Sequence, residues 1–235
     1  MKLMVFMTAY NEENTIGNVL ERILDTLEDV DADTDILVVD DGSTDTTAEI
    51  ARQYPVKLVV HPTNLGPGAA TQTGYEYAVR NNYQYTVRMD ADGQHRPEDI
   101  PKLLEPIQND EADIVIGSRY KRDTEYETSA VRDTGIRLYS WLISTITGDR
   151  VYDLTSGFRA VDIEVGKRHA EELPTGIIAI NRGIREGLSE YRIVEVPVTM
   201  EQRQYGKSYL SVERLAKYPI YSMYSFINAL FKHNK

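Results

Sequence analysis

Short apolar runs alternate with longer stretches whose apolar residues recur every three or four positions, and this rhythm orders the first half of the chain. Lys2 to Thr8 reads as a buried strand. Asn14-Thr15 then opens an amphipathic helix with Ile16, Val19, Leu20, Ile23, Leu24 and Leu27 at helical spacing. Asp35 to Val39 predicts a second strand, followed by a helix capped by Ser43-Thr44-Asp45 and running through Ala48, Ile50 and Ala51. Val56 to Val60 makes a third strand. After the turn at Leu65-Gly66-Pro67-Gly68, a helix runs to about Arg80, and Tyr85 to Met89 forms a fourth strand. Pro97 starts another helix, and Ile114 to Ile116 is a fifth strand ending at Gly117-Ser118-Arg119. Strict strand–helix alternation predicts an α/β fold with a mostly parallel central sheet flanked by helices.

The second half is less regular. The pattern predicts a helix over 132–147, a short strand from Ser156 to Val161, and a helix from Ile163 to Glu171. Tyr191 to Val198 alternates polar with apolar positions, as a half-buried strand does. A polar loop from Glu201 to Ser208 precedes a long amphipathic segment carrying Leu210, Leu215, Ile220, Met223, Phe226 and Leu230. An α/β domain over 1–209 followed by a C-terminal amphipathic helix over 210–235 is therefore expected.

At 235 residues and 41% apolar, the chain can bury a full core. A net charge of −11 argues against nucleic-acid binding, which needs a basic surface to displace counterions. With no cysteine there is no disulfide, thiolate metal site or cysteine nucleophile. No apolar run is long enough to span a membrane and no secretion signal is evident, which points to the cytoplasm.

Chemistry gathers where the strands end. Asp90-Ala91-Asp92 follows the fourth strand, and two carboxylates so spaced can converge on one hard divalent cation that bridges a diphosphate. The other ends present Thr8-Ala9-Tyr10-Asn11-Glu12, Asp40-Asp41-Gly42-Ser43 and His61-Pro62-Thr63-Asn64-Leu65-Gly66. Crowding carboxylates on one sheet edge is costly unless solvent or a cation neutralises them.

The order Ala-Tyr-Asn-Glu, Val-Asp-Asp-Gly-Ser-Thr-Asp, Asn-Leu-Gly, Asp-Ala-Asp-Gly-Gln-His-x-Pro-Glu, Gly-Ser-Arg, Thr-Ser-Gly-Phe-Arg and Gln-Arg-x-Tyr-Gly-Lys-Ser resembles the family 2 glycosyltransferases of the dolichyl-phosphate mannose/glucose synthase branch. The likeness covers roughly Met1 to Ser208. It implies a GT-A nucleotide-diphospho-sugar transferase fold, and inverting transfer of a hexose from a GDP- or UDP-sugar to polyprenyl or dolichyl phosphate. It places Tyr10, Glu12 and Asp41 around the base and ribose, with Asp40 and Gly66 close by. Structural alternatives are core packing for Tyr10, helix capping for Glu12 and Asp41, and turn geometry for Gly66. Asp90, Asp92 and Gln94 would hold Mg²⁺ or Mn²⁺ against the diphosphate. His95 is either a further member of this group or a solvent-facing loop residue. Gln202, Arg203 and Lys207 form a basic loop able to close over the diphosphate.

Arg119 and Arg132 are the candidates for an acceptor phosphate, because a guanidinium fork matches phosphate oxygens with two donors. Relatives often carry serine four residues beyond the arginine matching Arg132, where this chain has Ile136. Asp153 is either a general base or a partner that orients Arg159. The last segment mixes Tyr218, Tyr221, Tyr224 and Phe226 with Arg214, Lys217, Lys232 and Lys235, a pattern suited to a membrane interface on the cytoplasmic face, to a helix packed on its own domain, or to a contact with a second copy or a membrane protein. The rival enzyme is a transferase acting on a hydroxyl of a lipid-linked glycan or polysaccharide, and the rival from another class is a nucleotide-sugar-binding subunit. A dinucleotide oxidoreductase is disfavoured, since Thr8 to Thr15 contains no glycine.

Overall fold

The computed structural model describes residues 1–120, 152–153, 156–172, 191–203 and 205. The predicted helix at 132–147 and the C-terminal segment lie outside them, as do Arg132 and Lys207. Strands β1 (Lys2–Ala9), β2 (Asp33–Asp40), β3 (Lys57–Val60), β4 (Tyr85–Asp90), β5 (Ile114–Ser118), β6 (Arg159–Asp162) and β7 (Ile193–Pro197) form one sheet in the order β3-β2-β1-β4-β6-β5-β7. The helices are α1 (Ile16–Glu28), α2 (Thr47–Ala51), α3 (Pro67–Arg80), α4 (Ile100–Gln108), entered through a 3-10 turn at Pro97–Asp99, and α5 (Ile163–Glu172).

Alternation along β1 shows why its sequence is an unbroken apolar run. Leu3, Val5 and Met7 pack with Ile16, Val19, Leu20 and Ile23 of α1 and Leu103 and Leu104 of α4. Met4 and Phe6 face the other way, onto Ala70, Tyr75 and Ala78 of α3 and Val165 of α5. Both faces of the sheet are covered, so every position of its inner strands is drawn from water.

β2 and β4 flank β1 in parallel and β3 adds in parallel to β2, so four strand ends emerge on one rim. β6 is antiparallel to both its neighbours, with Arg159 opposite Arg88 of β4 and Ile116 of β5. An antiparallel strand begins where its parallel neighbours finish. Ser156-Gly157-Phe158, just before β6, are therefore delivered to the rim that carries Asp90.

Candidate active site

The first two loops on this rim are tied to each other. The Asn11 and Glu12 amides donate to the hydroxyls of Ser43 and Thr47 at 2.9 and 2.8 Å, and the Thr44 and Thr46 amides donate back to the side chains of Asn11 and Glu13 at 2.8 and 3.1 Å. The N-cap of α2 is Thr46, without a side-chain cap bond, and it is Asp45, one residue earlier, that accepts from the Thr47 amide at 3.0 Å and satisfies one of the first unpaired amides of the helix. Asp40 accepts from the Ser43 amide at 3.3 Å and from its hydroxyl. Asp41 takes the Leu65 amide at 3.0 Å, the Gly66 amide at 2.8 Å and His61 Nδ1 at 2.8 Å. Both aspartates are buried and shape their loops, while Tyr10 is 44% exposed at the mouth of the rim. Gly66 has φ +94°, a conformation suited to glycine, and stands at the N-terminal end of α3.

Asp90 ends β4. Its Oδ1 accepts from Arg88 Nη2 at 2.8 Å and lies 3.4 Å from the Thr8 hydroxyl. The Asp90 amide donates to His95 Nδ1 at 3.0 Å. His95 is 3% exposed and stacks on Phe158 at 5.1 Å, so the solvent-facing alternative does not hold. Burial lowers its pKa, and because Nδ1 is an acceptor the neutral ring carries its proton on Nε2, 4.0 Å from Asp90 Oδ2.

Asp92 accepts from the Gln94 amide at 3.0 Å and from Arg203 Nη1 at 3.2 Å. Its pKa is raised, first by burial and then by the charge on Asp90. Arg203 Nη2 also donates to Glu12 at 2.5 Å, so one guanidinium spans the buried Glu12 and the partly buried Asp92. The loop that supplies it is pinned upstream. Arg22 bridges Glu98 at 2.8 Å and Glu201 at 2.9 Å, the Glu201 amide donates to the Gln94 carbonyl at 2.9 Å, and the Gln94 side-chain amide faces the Glu201 carbonyl at 3.5 Å.

Burial pushes the Glu12 carboxyl up to about 7 from an ordinary 4.5, with Arg203 opposing the shift. A raised carboxyl binds its proton more tightly in the folded state. Its contribution to stability is fully present below about pH 4.5 and is lost as the pH rises towards 7. Glu12→Gln should therefore flatten the decline in stability over that interval. Urea midpoints of both proteins across the window check this, and two parallel curves would rule it out.

Arg119, at the end of β5, meets Asp153 through Nε and Nη2, each at 2.7 Å, and through its own amide at 3.1 Å. Asp153 is fully buried. Glu195 of β7 in turn accepts from the Tyr152 and Asp153 amides at 2.9 and 2.6 Å. Alternation predicts a solvent-facing residue at 195, yet Glu195 is buried and its pKa is raised, chiefly by that burial.

The structure thus gathers Tyr10, Glu12, Asp40, Asp41, Gly66, Asp90, Asp92, Gln94, Arg119, Asp153 and Arg203 along one rim. Sequence reasoning did not single out Arg88, Arg22 or Glu195. The signal for Arg88 is a charge inside a strand covered on both faces, two residues before Asp90 and hence on the same side.

The Asp90 and Asp92 carboxylates, each with a guanidinium against it and both still partly open to solvent, fit a cation site, since their hard oxygens suit Mg²⁺ or Mn²⁺. Among the described residues no third acidic or histidine side chain joins them at one point.

A family model for glycosyl transferase family 2 matches residues 4–173. An undecaprenyl-phosphate mannosyltransferase of Micrococcus luteus is 31% identical over 226 residues, spanning 90% of this chain and 88% of that protein. A UDP-N-acetylglucosamine–dolichyl-phosphate N-acetylglucosaminyltransferase of Methanococcus voltae is 33% identical over 190 residues, 72% of each. Among solved structures, glucosyl-3-phosphoglycerate synthase of Mycobacterium tuberculosis, in complex with Mn²⁺, UDP and glucosyl-3-phosphoglycerate, superposes with a TM-score of 0.68 at 20% identity, covering 97% of this chain and 79% of that one. The shared architecture is the GT-A fold.

Proposed function

The chain belongs to glycosyl transferase family 2, and from that premise we propose that it moves a hexose from a GDP- or UDP-sugar to the phosphate of a polyprenyl or dolichyl lipid, with inversion at the anomeric carbon. The observation that carries the reading is the Asp90/Asp92 pair on the sheet rim, faced by Arg203. The acceptor class is supported by the names of the relatives, which act on undecaprenyl and dolichyl phosphates.

Asp90 and Asp92, with Gln94, would hold Mg²⁺ or Mn²⁺, which supplies positive charge at the departing diphosphate. Tyr10 offers an exposed ring against the nucleobase, while Asp40, Asp41 and Gly66 build the loop wall beneath it. Arg203, already poised over Asp92, would turn to the diphosphate when the donor arrives, joined by Lys207 of the same loop. Arg119, its guanidinium plane fixed by Asp153, and Arg132 would align the acceptor phosphate for in-line attack.

A phosphate monoester has a second pKa of about 6, so near neutral pH it attacks without surrendering a proton. Asp153, buried and bonded to Arg119, fits an orienting role better than that of a base. The acceptor chain needs an apolar surface. The aromatic and basic segment over 210–235 would supply it, as a helix in the membrane interface on the cytoplasmic face. No helix among the described residues is long and apolar enough to cross a membrane.

Incubating purified protein with dolichyl phosphate, each metal and a panel of UDP- and GDP-sugars should yield a lipid heavier by one hexosyl unit in the mass spectrum. With a lipid-linked glycan offered in parallel, transfer confined to its hydroxyl and no gain in mass on dolichyl phosphate would overturn the acceptor assignment.

A further inference from the structure

The geometry points to Gly157 and Arg88 as positioning residues of Asp90, so that the segment before β6 belongs to the cation site even though it contributes no ligand. This rests on the reading of Asp90 as a metal ligand. A Cβ built on Gly157 would lie 2.7 Å from Asp90 Oδ2, 3.3 Å from His95 Cε1 and 3.4 Å from Arg88 Nη1. The carboxylate thus occupies the space that any other residue at 157 would fill.

The other oxygen of the carboxylate is held by Arg88, whose Nη2 donates to Oδ1 at 2.8 Å. Arg88 is 7% exposed, and its Nε has no hydrogen-bond acceptor among the described residues. It stands directly across from Arg159 in the β4–β6 pairing, and like charges so placed are unfavourable. A buried guanidinium held against such costs, with Asp90 at its tip, fits a residue kept for where it puts that carboxylate. Phe158 completes the support by stacking on His95, whose Nδ1 receives the Asp90 amide. Arg88 and Thr8 thus fix Oδ1, while the empty Cβ position of Gly157 leaves room for Oδ2.

Gly157→Ala is a sharp probe, because the nearest atom is the tip of a side chain. The fold can accept the methyl group by turning Asp90 aside. Arg88→Lys keeps the charge and removes the fork, so any loss it causes is geometric and not electrostatic. The measurement is Mn²⁺ affinity of the full chain without nucleotide, from the electron paramagnetic resonance signal of the free ion, alongside the melting temperature.

Both variants should bind Mn²⁺ about 10-fold or more weakly, the usual effect of removing a ligand's support, while the melting temperature of Gly157→Ala stays close to that of the wild type. Gly166→Ala, whose Cβ would make only ordinary contacts at 3.5 and 3.6 Å, should leave Mn²⁺ affinity unchanged and, lying inside α5, raise the melting temperature slightly. Asp90→Ala separates the two layers of the argument. If it weakens Mn²⁺ binding and Gly157→Ala and Arg88→Lys do not, the positioning role falls alone. If Asp90→Ala leaves Mn²⁺ binding unchanged, Asp90 is not a ligand and the metal reading falls with it.

Discussion

Asp92→Ala is expected to lower transfer by at least about 10³-fold, a loss on the order of 4 kcal/mol in transition-state stabilisation, while the folded protein survives. The second half of this expectation comes from the resting site. In the folded state the Asp92 carboxylate is disfavoured by burial and by the neighbouring charge of Asp90, and its pKa is raised accordingly. An acid whose pKa rises on folding is one whose ionised form costs stability. Neutral, nearly isosteric Asp92→Asn removes that cost and keeps an oxygen for the Gln94 amide. Thermal melting without metal should therefore show Asp92→Asn at or above the wild type, with product formation abolished. Stability held in reserve against function is expected where ligands are crowded for a cation. A marked fall in melting temperature would show that Asp92 is structural, and undiminished turnover would show that it takes no part in catalysis.

Periodicity made the first half of the fold legible because parallel strands covered on both faces must be apolar at nearly every position, and their covering helices at every third or fourth. The rim was legible for the same reason. Where a buried strand stops and Asp, Asn, Glu or Gly begins, the chain has left the core, and Asp90, Asp92, Asp41 and Glu12 all lie at such points. Alternation fails at Glu195, in a strand paired along β5, because there a carboxylate is drawn inward by two backbone amides instead of being pushed outward by water. It fails at His95 because a loop residue is sealed by Phe158, more than sixty positions away in sequence. Arg88 was hidden within an otherwise apolar run, and only the crossing of β6 shows what surrounds it. In each case the missing information is a contact between distant segments, which no local pattern contains.

Asp153→Ala should be the most destabilising of the substitutions considered, by about 3–5 kcal/mol, since it leaves the Arg119 guanidinium buried without its carboxylate. In a chain of this size that corresponds to a fall of roughly 10 °C in melting temperature. Asp153→Asn separates stability from chemistry. The asparagine keeps one acceptor oxygen but sets an amide donor against an Arg119 donor, so the fork is skewed and not lost. If Asp153 fixes the plane of Arg119 and the acceptor is a phosphate, the acceptor KM should rise about 10-fold, and the pH profile of kcat should keep its shape, because the nucleophile is already ionised. Were Asp153 a general base for a hydroxyl, kcat itself would fall by about 10²–10⁴ and its dependence on a basic group would disappear. The geometry favours the first outcome. Both carboxylate oxygens are engaged by Arg119, the residue is fully buried, and Glu195 holds the backbone on which it sits. Steady-state kinetics with polyprenyl phosphate from pH 6 to 9 decide between them, and a kcat that loses its basic limb would return Asp153 to the reacting centre.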